Sequence, residues 1–122
     1  GRGMRKELTA AAVLIPLMEI DPEMRHNLLG SQEREFATAM AIHVYLRLRR
    51  HFRFCRYGVE ASLKEVVEQI GDTIWTAPDQ IITAFASADA ADSAAASNYL
   101  AQEILRSISV IFETIKVSQD YG

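Results

Sequence analysis

The stretch from residue 31 to residue 57, SQEREFATAMAIHVYLRLRRHFRFCRY, has the clearest helical pattern in the chain and constrains its fold most. Ser31 is a good N-cap, because its hydroxyl can accept a hydrogen bond from the free amides that open a helix. Beyond it, apolar residues recur every three or four positions, which places them on one face of a helix: Ala37, Ala41, Val44, Leu48, Phe52 and Cys55. The pattern predicts a long central helix over about 32–57, which Gly58 can end.

A second helical pattern lies near the C-terminus. Large apolar residues recur there at steps of three and four, and β-branched residues at such positions suit tight helix pairing. We predict a helix over about 92–117 that packs mainly on the central helix, with Glu103 and Arg106 facing outward. If one chain leaves the apolar stripe uncovered, it pairs with a second copy as a homodimer. The candidate interface consists of Leu100, Ile104, Ile108, Ile111, Phe112 and Ile115.

Local signals predict several shorter helices. The first runs from near Met4 to Ile15 and is ended or kinked by Pro16, which lacks an amide hydrogen. The Asp-Pro-Glu of residues 21–23 starts a second helix, and the Ser-Leu-Lys-Glu of residues 62–65 forms a capping box for another.

Two further helix starts follow. Thr76 is predicted to cap the helix that contains Ile81 and Phe85. Asp89 or Asp92 is predicted to cap the last helix.

The fold class follows from these elements. No run alternates with period two over the length of a strand, so no sheet is expected. A chain of 122 residues with 49% hydrophobic residues is long enough for one domain with a real core. We predict an all-α, single-domain bundle of about five to six helices over residues 4–122. Residues 1–3 precede Met4 and are typical of a cloning remnant.

Basic and acidic residues are unevenly distributed along the chain. Residues 1–30 are balanced, residues 31–58 carry six basic and two acidic side chains, and residues 59–122 carry three basic and ten acidic ones. Opposite net charges of this kind predict attraction between the two segments, either within one fold or between copies.

Five arginines in the second half of the central helix form a candidate polyanion-binding site: Arg47, Arg49, Arg50, Arg53 and Arg56. Guanidinium groups make forked hydrogen bonds to phosphate, so binding of nucleic acid or another polyanion is one hypothesis. The alternative is structural, because cations near a helix C-terminus oppose the dipole and arginine stems cover apolar surface. Pairing of most of these side chains with acidic groups of residues 60–79 or 89–113 would remove the grounds for polyanion binding.

Cys55 is the single cysteine of the chain, which excludes an internal disulfide and a cysteine-rich metal site. We therefore predict a reducing, cytoplasmic compartment. Arg53 and Arg56 would favour a reactive thiolate, but Cys55 also falls on the apolar stripe, where a free cysteine behaves as a small hydrophobe. Inert burial is the prediction.

Trp75 is the only tryptophan. It is either a core or interface anchor, or one wall of a small-molecule pocket that includes Tyr45. Glu23 and His26 have a spacing used by carboxylate-bridged di-iron sites, but such sites need a second pair that this sequence lacks. No metal site and no cofactor are therefore predicted.

The sequence contains no Gly-x-Gly-x-x-Gly, no Walker loop, no His-Glu-x-x-His and no Gly-x-Ser-x-Gly motif. The apolar run of residues 10–18 is far too short to span a bilayer, so no membrane association is expected. We predict that the protein is not an enzyme but a small helical interaction module, whose partner is a second copy or another helical protein. Polyanion binding through the arginines and a small-molecule pocket near Trp75 are the alternatives.

Overall fold

The computed structural model describes residues 7–30 and 33–117. Within them the chain forms six helices and a small sheet, in the order α1 Ala10–Met18, α2 Pro22–Asn27, α3 Glu35–Leu48, β1 Phe52–Arg56, β2 Val59–Glu60, α4 Leu63–Trp75, α5 Asp79–Phe85, α6 Ala90–Ile111 and β3 Glu113–Lys116. The fold is therefore mostly helical, as predicted, but it is not purely all-α. The predicted cap at Ser31 lies outside the described residues.

The sheet has the order β2-β1-β3 and is antiparallel throughout. Arg56 pairs with Val59, and the two residues between them, Tyr57 and Gly58, have φ angles of 53° and 79°. Positive φ at both positions is the signature of a type I′ turn, the two-residue loop that suits the twist of a hairpin. The prediction of no sheet is wrong because the central helix was predicted to extend through β1 to Tyr57 and to end at Gly58.

The central helix is shorter than predicted. It ends at Leu48, and the segment after it forms β1, whose Phe52 and Phe54 side chains are buried. A step from Leu48 to Phe52 to Cys55 fits a helix, whereas the alternation of Phe52 and Phe54 fits a strand. Tertiary packing decided between them, because the strand conformation gives this segment a place in the sheet as well as in the core.

The last helix is also shorter at its C-terminal end. Asp89 caps α6, accepting hydrogen bonds from the amides of Ala91 at 2.9 Å and Asp92 at 3.1 Å, as one of the two predicted caps. After the end of α6, β3 pairs with β1 and sets Ile115 opposite Arg53. Ile115 was predicted on the helical stripe and lies instead on a strand.

The packing of the helices differs from the prediction that α6 lies mainly on α3. The main neighbour of α3 is α4, and α6 packs on α1, α5 and α4. The strand that follows α3, β1, pairs with the strand that follows α6, β3. Gly71 allows the close approach of α3 and α4, since a Cβ there would lie 3.7 Å from the Cβ of Ala41. The large side chains with no more than 1% of their surface exposed include Leu17, Met40, Phe54, Ile70, Ile74, Phe85, Leu100, Ile104 and Ile108.

Two helix starts that were predicted from a polar cap are confirmed. The Asp21 carboxylate accepts from the Glu23 amide at 3.0 Å, which confirms the predicted start of α2. The capping box of α4 is confirmed: the Ser62 hydroxyl accepts from the Glu65 amide at 3.2 Å, and the Glu65 carboxylate accepts from the Ser62 amide at 3.0 Å.

Further predicted helix boundaries are wrong. α1 begins at Ala10 and not near Met4. α1 continues through Pro16 to Met18, because the buried Pro16 ring and its buried neighbour Leu17 pack into the core and offset the lost hydrogen bond. Thr76 ends α4 instead of starting α5, since its hydroxyl donates to the Asp72 carbonyl at 2.8 Å.

Arg25 of α2 connects its own helix to α1, α5 and α6 and to the loop between α1 and α2. Its guanidinium donates to backbone carbonyls at and beyond the end of α1, to the last carbonyl of α5 and to a hydroxyl on α6: Leu17 O at 3.4 Å, Met18 O at 3.0 Å, Ile20 O at 3.1 Å, Phe85 O at 3.4 Å and Ser93 Oγ. It also lies 4.9 Å from the centre of the Phe85 ring. Burial lowers the pKa of Arg25, because desolvation penalises the charged form. The carbonyls that end two helices supply the compensating negative charge.

Candidate interaction surface

The arginine-rich segment is paired with carboxylates of the same chain. Arg49 Nη2 lies 3.1 Å from Glu60 Oε2, and Arg53 Nε lies 4.0 Å from the same oxygen. Arg56 Nη1 lies 3.4 Å from Glu65 Oε2. β1, β2 and the start of α4 thus bring three of the five arginines against acidic groups of residues 60–79.

The remaining two arginines lie at the end of α3 and just after it. Arg47 forms an ion pair with Glu19 of the α1–α2 connection, and Arg50 is exposed. Because internal carboxylates already balance most of this segment, it lacks the row of available guanidinium groups that phosphate binding requires. This pairing removes the grounds for the polyanion hypothesis.

The candidate interface of the sequence analysis lies mostly inside one chain. Leu100, Ile104 and Ile108 have no exposed surface, because α1, α4 and α5 cover this side of α6. Phe112 is also buried and Ile111 is partly buried, whereas Ile115 on β3 is 47% exposed. The isoleucine stripe therefore forms the core, and a second copy would have to bind a different face of α6.

The outward face of α6 carries a second stripe that combines apolar and charged side chains. Its members, which we call the outer stripe, are Tyr99, Glu103, Arg106 and Val110. Their spacing of four, three and four residues places them along one line of the helix. Tyr99 is 39% exposed and Val110 is 79% exposed. Between them, Glu103 Oε2 lies 3.7 Å from Arg106 Nη2.

A groove of about 370 Å³ runs beside the outer stripe. Its opposite wall is formed by the C-terminal half of α4 and the turn into α5, with Gln69, Thr73, Thr76, Ala77 and Pro78. The Gln69 amide nitrogen donates to the Ser107 hydroxyl and fastens α4 to α6 at the floor of the groove. The stripe and the groove together form a surface whose shape is set by two well-packed helices.

The outer stripe was partly visible in the sequence. Glu103 and Arg106 were assigned to the outward face, but the apolar residues at each end of that line, Tyr99 and Val110, were not included. Their distance of eleven residues, which is about three turns of helix, is the signal that could have identified them.

A second concave feature lies on the other side of the α4–α5 connection. This cavity of about 560 Å³ is lined by Leu28, Leu29, Gly30, Ile74, Trp75, Ala77, Asp79, Ile82 and Thr83. Trp75 is therefore on a cavity wall, as one of the sequence alternatives required. Tyr45 is not, because it is buried and its ring lies 6.1 Å from that of Phe54.

Other candidate chemistry is sparse. In residues 7–30 and 33–117, no group of three or more His, Cys, Asp or Glu side chains is arranged to hold a metal ion. Cys55 is a free, buried thiol on β1, in agreement with its predicted burial. No helix of the described chain combines the length and the apolar character needed to cross a membrane.

Comparison with protein-family models, with curated proteins and with solved structures finds no match to this chain.

Proposed function

We propose that the protein is a non-catalytic interaction module that forms a homodimer through the outer stripe of α6. The observation that carries this proposal is the order of side chains along the stripe, which reads apolar, acidic, basic, apolar from Tyr99 to Val110. The two apolar members of the stripe are exposed on one helix, Tyr99 by 39% and Val110 by 79%.

The order of the stripe is complementary to itself when reversed. If two copies of α6 lie antiparallel about a two-fold axis, Tyr99 of each copy faces Val110 of the other. In the same register Glu103 of each copy faces Arg106 of the other, because both pairs are centred on the midpoint between Ile104 and Leu105. A two-fold interface needs this property, since one patch must recognise itself.

The ion pairs and the apolar contacts of such a dimer would contribute different amounts of free energy. An exposed ion pair contributes at most about 1 kcal/mol, so the two crossed pairs would set the register more than the affinity. The affinity would come from Tyr99 and Val110, and from contact of their neighbours with the walls of the groove. A stable dimer buries about 1,000 Å² or more, which requires Thr73 and Pro78 of each copy to contribute.

A charge-swap series tests the proposal. Sedimentation equilibrium over a concentration range would give the dimer dissociation constant of the full chain and of each variant. Glu103→Arg places like charges opposite each other at both crossed positions, so the dimer should weaken about tenfold or more. The double variant Glu103→Arg/Arg106→Glu restores opposite charges across the axis and should recover most of that loss.

Two controls make the series decisive. Glu68→Arg makes the same charge change on an exposed site of α4 and should leave dimerisation unaltered. Val110→Asp should give a monomer with an unchanged circular dichroism spectrum, because Val110 is exposed in the monomer. A wild-type chain that stays monomeric, or a Glu103→Arg variant that dimerises as well as the wild type, would overturn the proposal.

The cytoplasmic location inferred from the single cysteine stays a prediction.

A further inference from the structure

The cavity beside Trp75 combines apolar walls with one charged group. Leu28, Ile74 and Ile82 form apolar walls contributed by the α2–α3 connection, α4 and α5. Among the described residues that line the cavity, Asp79 is the sole charged side chain. A volume of about 560 Å³ lies within the usual range of sites for small organic molecules.

The electrostatics of the cavity favour a cation. Asp79 is exposed, and within the described chain its carboxylate has no ion-pair or hydrogen-bond partner. The C-terminus of α4, where Ile74 and Trp75 lie, carries the negative end of a helix dipole, and no basic residue is in its last turn. Arg34, a cation near this end of α4, is paired with Asp72.

The N-terminus of α5 contributes a positive partial charge to the site, which opposes the binding of a cation. Asp79 is the first residue of α5, so the positive end of that helix dipole lies beside it. The dipole is equivalent to roughly half a charge at each terminus, whereas the carboxylate carries a full negative charge. The C-terminus of α4 adds to the carboxylate, so we expect the cavity to favour a cation.

Trp75 adds a second means of recognising a cation. The negative face of an indole ring attracts ammonium groups, and the ring also offers a large apolar surface. Thr83 lies one helical turn after Asp79 on α5 and places a hydroxyl on the same side of the helix. The hydroxyl can accept a further hydrogen bond from an ammonium group.

From this arrangement we propose that the cavity binds a small organic cation with an apolar body, with its ammonium group on Asp79 and its body against Trp75. This proposal does not depend on the dimer, because the outer stripe does not contribute to the cavity.

The chain provides its own probe for the test. Trp75 is the only tryptophan, so both its fluorescence and its indole N–H resonance in NMR spectra report on this site alone. Three ligands of matched shape would be titrated into the full chain: 2-phenylethylamine, 2-phenylethanol and 3-phenylpropanoate. The amine should bind with a dissociation constant about fivefold or more below that of the alcohol, and the carboxylate should bind most weakly.

Substitution of the carboxylate decides the assignment. Asp79→Asn keeps the shape and a residue tolerated at a helix start, but removes the charge, so the preference for the amine over the alcohol should vanish. Glu68→Gln removes a charge from an exposed site elsewhere on α4 and should preserve the preference. Equal affinities for the three ligands, an absence of saturable changes at millimolar concentrations, or an unaltered preference in Asp79→Asn would each overturn the proposal.

Discussion

Arg25 and the arginine-rich segment of residues 47–56 use the same side chain in opposite ways. Arg25 stands alone, and in the described chain it has no carboxylate partner; its guanidinium is held by the carbonyls that end α1 and α5 and by Ser93. Arg49, Arg53 and Arg56 are partly exposed and pair with the carboxylates of nearby glutamates.

The difference shows that a cluster of charged residues in a sequence does not identify the charged side chains that hold the fold together. The arginine-rich segment is anchored to the hydrophobic core by the buried side chains of Phe52 and Phe54 on β1. Its ion pairs lie at the surface, where water and salt weaken them. An isolated arginine, in contrast, can be the point where several elements meet.

We expect the largest loss of stability from removal of Phe54, the buried ring that holds the arginine-rich segment on the core. Phe54→Ala should lower the free energy of unfolding by about 3–5 kcal/mol, because it removes a fully buried ring and leaves a cavity beneath β1. Urea denaturation followed by circular dichroism measures the change. Tyr57→Ala is the control, since Tyr57 lies in the same hairpin but is 95% exposed, and its loss should have little effect. A similar loss for the two variants would mean that burial does not hold this segment.

The next effect tests Arg25. Arg25→Met keeps the length and the apolar stem but leaves several carbonyls and the Ser93 hydroxyl without their donor, so the free energy of unfolding should fall by about 2–4 kcal/mol. The same denaturation experiment with Arg34→Met supplies the control, because Arg34 makes an exposed pair with Asp72. Equal effects of the two substitutions would mean that Arg25 stabilises the fold no more than an exposed ion pair does.

We expect the smallest loss of stability from removal of the surface ion pairs of Glu60. Glu60→Gln removes the carboxylate shared by Arg49 and Arg53, and the free energy of unfolding should fall by less than about 1 kcal/mol. Thermal unfolding at low and high salt should show that even this difference shrinks as salt is added. A loss as large as that of Arg25→Met would show that the ion pairs, and not the phenylalanines, position the segment.

Local chemistry predicted much of the helical part of the fold. The start of α2 and the capping box at Ser62 depend on residues within one turn and were found where the sequence placed them, and Asp89 is one of the two caps predicted for α6. β1 was missed because Leu48, Phe52 and Cys55 have a helical spacing, while only Phe52 and Phe54 show the alternation of a strand. The Tyr57-Gly58 turn was the local signal that separates the two.

Long-range features were not predictable in the same way. The acceptors of Arg25 on α5 and α6 lie 60 and 68 residues away in sequence, so no local pattern could pair them with it. The isoleucines of α6 were identified correctly as apolar, but their assignment to an interface depended on which face other helices cover. Only packing decides that, and α1, α4 and α5 cover the isoleucine face.

The sheet also has a consequence for the order in which the chain is made. β1 lies in the middle of the sheet, yet one of its two neighbours, β3, comes from the last described segment of the chain. During synthesis the hairpin of β1 and β2 emerges first and remains with an open side until residues 113–116 leave the ribosome. A nascent chain stalled before that point would expose the unpaired backbone amides and carbonyls of β1, which pairing with β3 covers.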